Sequence, residues 1–150
     1  MRLAFLALLL GLLCACSSTP SSAPAVPEYP AGPDAVTVVF LRDRCPPILI
    51  KGALQIDGVP RAVLGVENYA VVRLAPGRHE LKYAFPFWAG TPSRKLTIEA
   101  KPGTTRYFYF TTDMGFVGLG ATIVPQLHEI SPGRGQPLMA SFKAVPLSGP

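Results

Sequence analysis

Chemistry-bearing side chains are scarce in this chain. Of 150 residues, 15% are charged, two are His, three are Cys and one is Trp. The net charge of +5 is spread along the sequence, with no basic block of the kind that tracks a phosphate backbone. Nucleic acid is therefore not an expected partner, although a weak attraction to anionic surfaces remains open. No Gly-x-Ser-x-Gly elbow, Ser-x-x-Lys pair or phosphate loop occurs. His128-Glu129 has no second His at helical spacing, so the zinc-protease pattern is absent. No Cys/His spacing suits a metal, and no metal or other cofactor is expected.

Two catalytic alternatives stay open on residue type alone. Cys45 could act as a nucleophile with His79 or His128. Its flanking Pro46-Pro47 and the lack of any cysteine-enzyme signature favour a small buried hydrophobe or an unpaired loop thiol. His79 lies on the apolar side of an alternating run, where a packed ring with satisfied nitrogens is the expected role.

Turn formers, by contrast, are plentiful: 17 Pro and 14 Gly argue against an all-helical fold. Asp57-Gly58 signals a tight hairpin, and Pro76-Gly77 a type II turn with Gly in the left-handed position. Lys101-Pro102-Gly103-Thr104 repeats that turn chemistry. Between these signals lie β-type runs at 35–42, 69–74, 78–85, 94–100 and 105–110, and residues 48–56 read as a loop and then a strand that ends at the Asp57-Gly58 turn. The first is apolar on both faces and predicts a doubly covered strand. The Gly-rich stretch 115–126 predicts a closely packed bulged or edge segment. Weaker strands are expected at 127–130 and 138–145, split by a Ser131-Pro132-Gly133 turn.

The first segment is of a different kind. Met1-Arg2 is followed by an apolar run over 3–13, which fits a secretory signal and falls short of the roughly 20 residues of a spanning helix. Leu13-Cys14-Ala15-Cys16-Ser17 resembles the bacterial lipobox, with Cys16 in the place of the lipid-bearing cysteine. That resemblance implies cleavage after Ala15 and a lipid-modified (diacylglyceryl and acyl, palmitate-type) Cys16. An ordinary secreted protein is the alternative. If Cys16 is lipidated and Cys14 removed, Cys45 has no partner for a disulfide. The Pro- and Ser-rich stretch 17–33 cannot build a core and predicts an extended tether.

The turn-and-strand order resembles PEGA-like domains and an uncharacterised family of bacterial lipoprotein domains. The matching residues are Leu54-Gln55-Ile56-Asp57-Gly58, Leu74-Ala75-Pro76-Gly77-Arg78-His79, and Lys101-Pro102-Gly103 with Tyr107 and Tyr109. The likeness spans about Val36 to Val145. It implies an all-β fold, a small antiparallel β-sandwich of immunoglobulin or transthyretin type. The expected organisation is a signal peptide over 1–15, lipidated Cys16 and linker over 16–33, and a sandwich of seven or eight strands over 34–150.

Ser17 after the lipid-bearing position implies, by analogy, an outer-membrane lipoprotein facing the periplasm. The expected function is a non-enzymatic binding or structural module held to the membrane by its N-terminal lipid. The alternatives are an envelope hydrolase using Cys45 or a His, and an accessory subunit of an envelope or secretion complex. Phe85-Pro86-Phe87-Trp88 is the expected contact element: Phe87 and Trp88 would face an envelope protein or a lipid headgroup region. Folding back of this loop to close one end of the sandwich is the alternative.

Overall fold

Alternation of apolar residues builds two sheets. The computed structural model describes residues 29–117 and 120–148. The stretch 1–28, with Cys14, Cys16 and most of the tether, lies outside them. Strand β1 (Val36–Arg42) is the centre of a five-stranded sheet. It pairs antiparallel with β4 (Asn68–Leu74), Val38 opposite Val72, and parallel with β7 (Thr105–Val117), Val39 opposite Tyr107. Strand β8 (Gly120–Ile130) extends that sheet beyond β7 as a long antiparallel hairpin. A two-residue strand, β9 (Lys143–Ala144), closes its other edge beside β4.

The second sheet is wholly antiparallel. Its order is β3 (Val59–Leu64), β2 (Gly52–Ile56), β5 (Gly77–Ala84), β6 (Arg94–Ala100). The all-β sandwich expected from the sequence is the fold that forms, but the expected antiparallel pairing holds throughout only in the second sheet: β7 and β9 reach the first sheet by crossovers and run parallel to β1 and β4. It has nine strands among the described residues, counting the two-residue one.

The core lies between the sheets. Val36, Val38, Phe40, Val72, Phe108 and Phe110 face Leu54, Ile56, Leu64, Leu81, Tyr83 and Ile98. As the two-sided apolar pattern of β1 predicts, its other face is also covered. Val39 and Leu41 join Tyr107, Tyr109 and Ile130 in a second cluster under helix α1 (Pro132–Ser141).

That helix corrects the expected turn at 131–133 and the first part of the expected strand at 138–145, of which only β9 forms. Ser131 stands at the N-cap and Pro132 at the first position, where its missing N–H is harmless. The ladder continues despite two glycines and Pro137, because packing overrides propensity. Leu138, Met139 and Phe142 cover the sheet, and Gly135 lies on the Tyr107 ring so closely that a Cβ there would clash with the ring. No helix among the described residues is long and apolar enough to cross a membrane.

The turns give the body two distinct ends. At the entry end the chain arrives from residue 29, and Thr37 N donates to Thr104 O. Asp57 and Gly58 form the two-residue turn of the β2–β3 hairpin, with φ +52 and +79. Residues 75–76 and 101–104 cross between the sheets at this same end. Pro76-Gly77 is thus a crossover corner rather than a hairpin turn. Gly77 has φ +132, beyond the ordinary left-handed range of a type II turn. Pro102 and Gly103 do occupy a turn closed by Thr104 N to Lys101 O, with Gly103 at φ +67. The opposite end carries the β1–β2 loop, the β3–β4 turn, the β5–β6 loop and the free part of the β7–β8 hairpin.

Candidate functional site

Arg42 is the last residue of β1 and shares the core-facing phase of Val36, Val38 and Phe40. Its guanidinium therefore enters the sandwich, and the residue is fully buried. Among the described residues no carboxylate is paired with it. Nη1 donates to Ile50 O at 2.7 Å, Leu64 O at 2.9 Å and Tyr83 Oη at 3.3 Å, and Nη2 donates to Pro47 O at 2.6 Å. The Phe85 ring lies 5.0 Å from Cζ and offers its electron-rich face. Carbonyl dipoles and an aromatic face thus replace a counter-ion, while Nε is left without a partner.

These bonds fix the end of the molecule. Pro47 O and Ile50 O flank Ile48 and Leu49, so the guanidinium pins both feet of the loop that carries them. Phe85, packed beneath the guanidinium, begins the next loop. There Pro86 starts a 3-10 turn over Phe87–Ala89, closed by Ala89 N to Pro86 O at 2.9 Å and ended by Gly90 at φ +63. Thr112, on the hairpin, donates to Pro46 O at 3.0 Å and ties β7 to the first loop.

The side chains at this end face outward. Relative exposures are 96% for Leu49, 97% for Phe87, 64% for Trp88, 64% for Met114 and 51% for Ile48. The other exposed large apolar residues among the described ones, Val63 and Val71, stand on strand faces. Scattered exposed apolar residues are ordinary, but a concentration at the loop end of a sandwich marks a contact surface. Arg44 and Lys51 bracket the first loop, and Arg94 stands at the foot of the second; all three are exposed.

The candidate nucleophile and the histidines are not brought together. Cys45 is buried at this end, and burial pushes its thiol pKa up, against a lowering by the Thr112 hydrogen bond and the Arg42 charge. The neutral thiol is the favoured form, which is the reverse of nucleophile activation. His79 is at the entry end. Nδ1 meets Asp57 Oδ2 at 2.7 Å and Nε2 meets Ala75 O at 2.9 Å, so both ring nitrogens are engaged. Asp57 also accepts from Glu80 N at 2.8 Å, which makes it the clasp between hairpin and crossover. His128 lies edge-on to Tyr109 on the outer face of the first sheet.

A shallow polar depression near the entry end is lined by Glu99, Lys101, Thr104, Thr105 and Arg106. Its Arg106 is already committed to both oxygens of Glu129 and to Glu99 O. No group of three or more metal-ligating side chains occurs among the described residues.

Sequence reasoning found Phe87 and Trp88 but not Ile48, Leu49, Met114 or Arg42. Arg42 had a usable signal: it continues the core-facing alternation of its strand by one residue. Ile48 and Leu49 follow Pro46-Pro47 and read as the loop before a strand, which they are, but nothing local says that this loop faces outward. Cys16 lies outside the described residues. Comparison with family models, with curated proteins and with solved structures finds no match.

Proposed function

We propose that this protein is a lipid-anchored, non-enzymatic binding module of the bacterial envelope, attached through Cys16 and sorted to the outer membrane. Its contact surface is the apolar end of the sandwich. The observation that carries this reading is the concentration of Ile48, Leu49, Phe87, Trp88 and Met114 at one end, where the buried Arg42 pins the Ile48-Leu49 loop and packs on Phe85 at the start of the next. Rigid display lowers the ordering entropy lost on contact, as binding surfaces require. The lipobox-like sequence at Cys16 supports the anchor, and two acyl chains suffice for stable membrane attachment. A buried, neutral Cys45 and a fully engaged His79 support a role other than catalysis.

Two variants test the two halves of the reading. Cys16→Ala is expected to leave an unprocessed or soluble form, and a variant that still matures and stays with membranes contradicts the anchor. Trp88→Ala is expected to keep the unfolding midpoint and to lose the contacts captured by crosslinking intact envelopes. Unchanged capture contradicts the assigned surface.

A further inference from the structure

We propose that the apolar end inserts into the headgroup–acyl boundary of an anionic phospholipid bilayer, the same bilayer that holds the N-terminus. This rests on the anchored-module reading above and names what the module contacts.

Three observations favour a bilayer over a protein. The apolar groups stand on two separate loops and on the β7–β8 hairpin, and Leu49 and Phe87 are almost wholly exposed. Isolated apolar tips suit a fluid interface, which needs no matching shape, whereas a protein hot spot is a packed and rimmed patch. Second, the residue types fit: Trp and Phe settle at the membrane interface, and Ile48-Leu49 supply an aliphatic tip. Third, the exposed Arg44 and Lys51 bracket the first loop, where long basic side chains reach anionic headgroups while their stems follow the apolar groups inward. Arg94, at the foot of the second loop, donates its Nε to Pro125 O. The acids at this end are Asp43, Asp113 and Glu67. Asp43 accepts from Arg44 N and Thr111 Oγ1, and Asp113 accepts from Gln126. Glu67 lies on the β3–β4 turn at the same end, and Gly65 of that turn adjoins Lys51.

Reach permits the same bilayer. The chain enters the body at the end opposite the tips, and the seven residues of β1 span roughly 23 Å between the two. The segment 16–28 can extend to roughly 40 Å at most, enough for the body to turn its apolar end down to its own membrane. Tethering also raises the local concentration of bilayer to a level at which weak loop insertion becomes effective. The N-terminal lipid then supplies the stable attachment, and the loops add a second, weaker contact with the same bilayer.

Trp88, the only Trp in the chain, reports directly. The full chain is reconstituted into phosphatidylglycerol-containing vesicles, with or without phospholipids brominated near the top of the acyl chains. Insertion predicts a blue-shifted Trp88 emission that loses most of its intensity to the brominated lipid. The Leu49→Ser/Phe87→Ser variant, altered only at exposed positions, should recover that intensity. Emission that ignores the brominated lipid and is quenched freely by acrylamide overturns the proposal. Quenching only by brominated lipid in a second, protein-free vesicle population overturns the choice of bilayer. A photo-crosslinker at position 87 in intact cells separates the two readings when lipid quenching is absent. Discrete protein adducts then overturn bilayer insertion and leave the binding module standing; no adducts overturn both.

Discussion

Arg42 joins the core to the contact surface. It occupies a core position, yet its bonds go to the backbone of the loop that presents Ile48 and Leu49. Arg42→Met should leave buried carbonyls without donors and cost about 3 kcal/mol, read as a drop in the urea midpoint. Arg42→Lys should recover only part of this, because an ammonium cannot reproduce the planar fork. Next to it, burial pushes Tyr83 up to about 12, partly offset by the Arg42 charge and hydrogen bond. Cys45 is raised for the same first reason. Both folded values lie above the unfolded ones, so the neutral groups contribute their full stability below the ordinary values of 9 to 10. That contribution is lost as pH rises through the folded values. For Tyr83 it is on the order of 2 kcal/mol. Denaturation midpoints should therefore fall between pH 9 and about 12, and Tyr83→Phe should flatten the upper part of that fall. A slope identical in the variant would show that Tyr83 is not the group responsible.

At the scale of elements, strands were legible because their alternation is local, whereas the helix and the crossovers depend on distant partners. The Asp57-Gly58 hairpin needs only two residues able to adopt positive φ, and the sequence displays both. Pro76-Gly77 displays the same kind of signal, but nothing local says that β4 and β5 belong to different sheets. Gly77→Ala should cost on the order of 1–3 kcal/mol, since φ +132 is a region that L side chains rarely adopt. Helix α1 was hidden for a related reason: its Gly, Pro and Ser content reads as turn, and only the apolar outer face of the first sheet makes it a helix. Ser131-Pro132 was the one local start signal. The close seat on Tyr107 makes Gly135 the sensitive position. Gly135→Ala should cost about 1–3 kcal/mol by lifting α1 from the sheet. Hydrogen exchange should then quicken first in 132–142, and uniform quickening across both sheets would contradict the local mechanism.

On the scale of the whole molecule, the body has two chemically different ends. The entry end is polar, clasped by Asp57, His79 and Glu80 and by the Arg106–Glu129 pair. The far end carries the apolar tips. The candidate site was half legible, because Phe87 and Trp88 announce themselves by composition beside a Pro break. Leu49, on another loop, and Met114, on the β7–β8 hairpin, join them only because the fold brings these segments to one end. The central claim is that this end, and not the entry end, touches the protein's surroundings. The most direct measurement places a photo-crosslinking residue at position 87 or, as the opposite-end control, at position 78, in otherwise unchanged chains in intact cells. The account predicts adducts, to lipid or to protein, from position 87 and none from position 78. Adducts from position 78 alone, or equal yields from both, would contradict it.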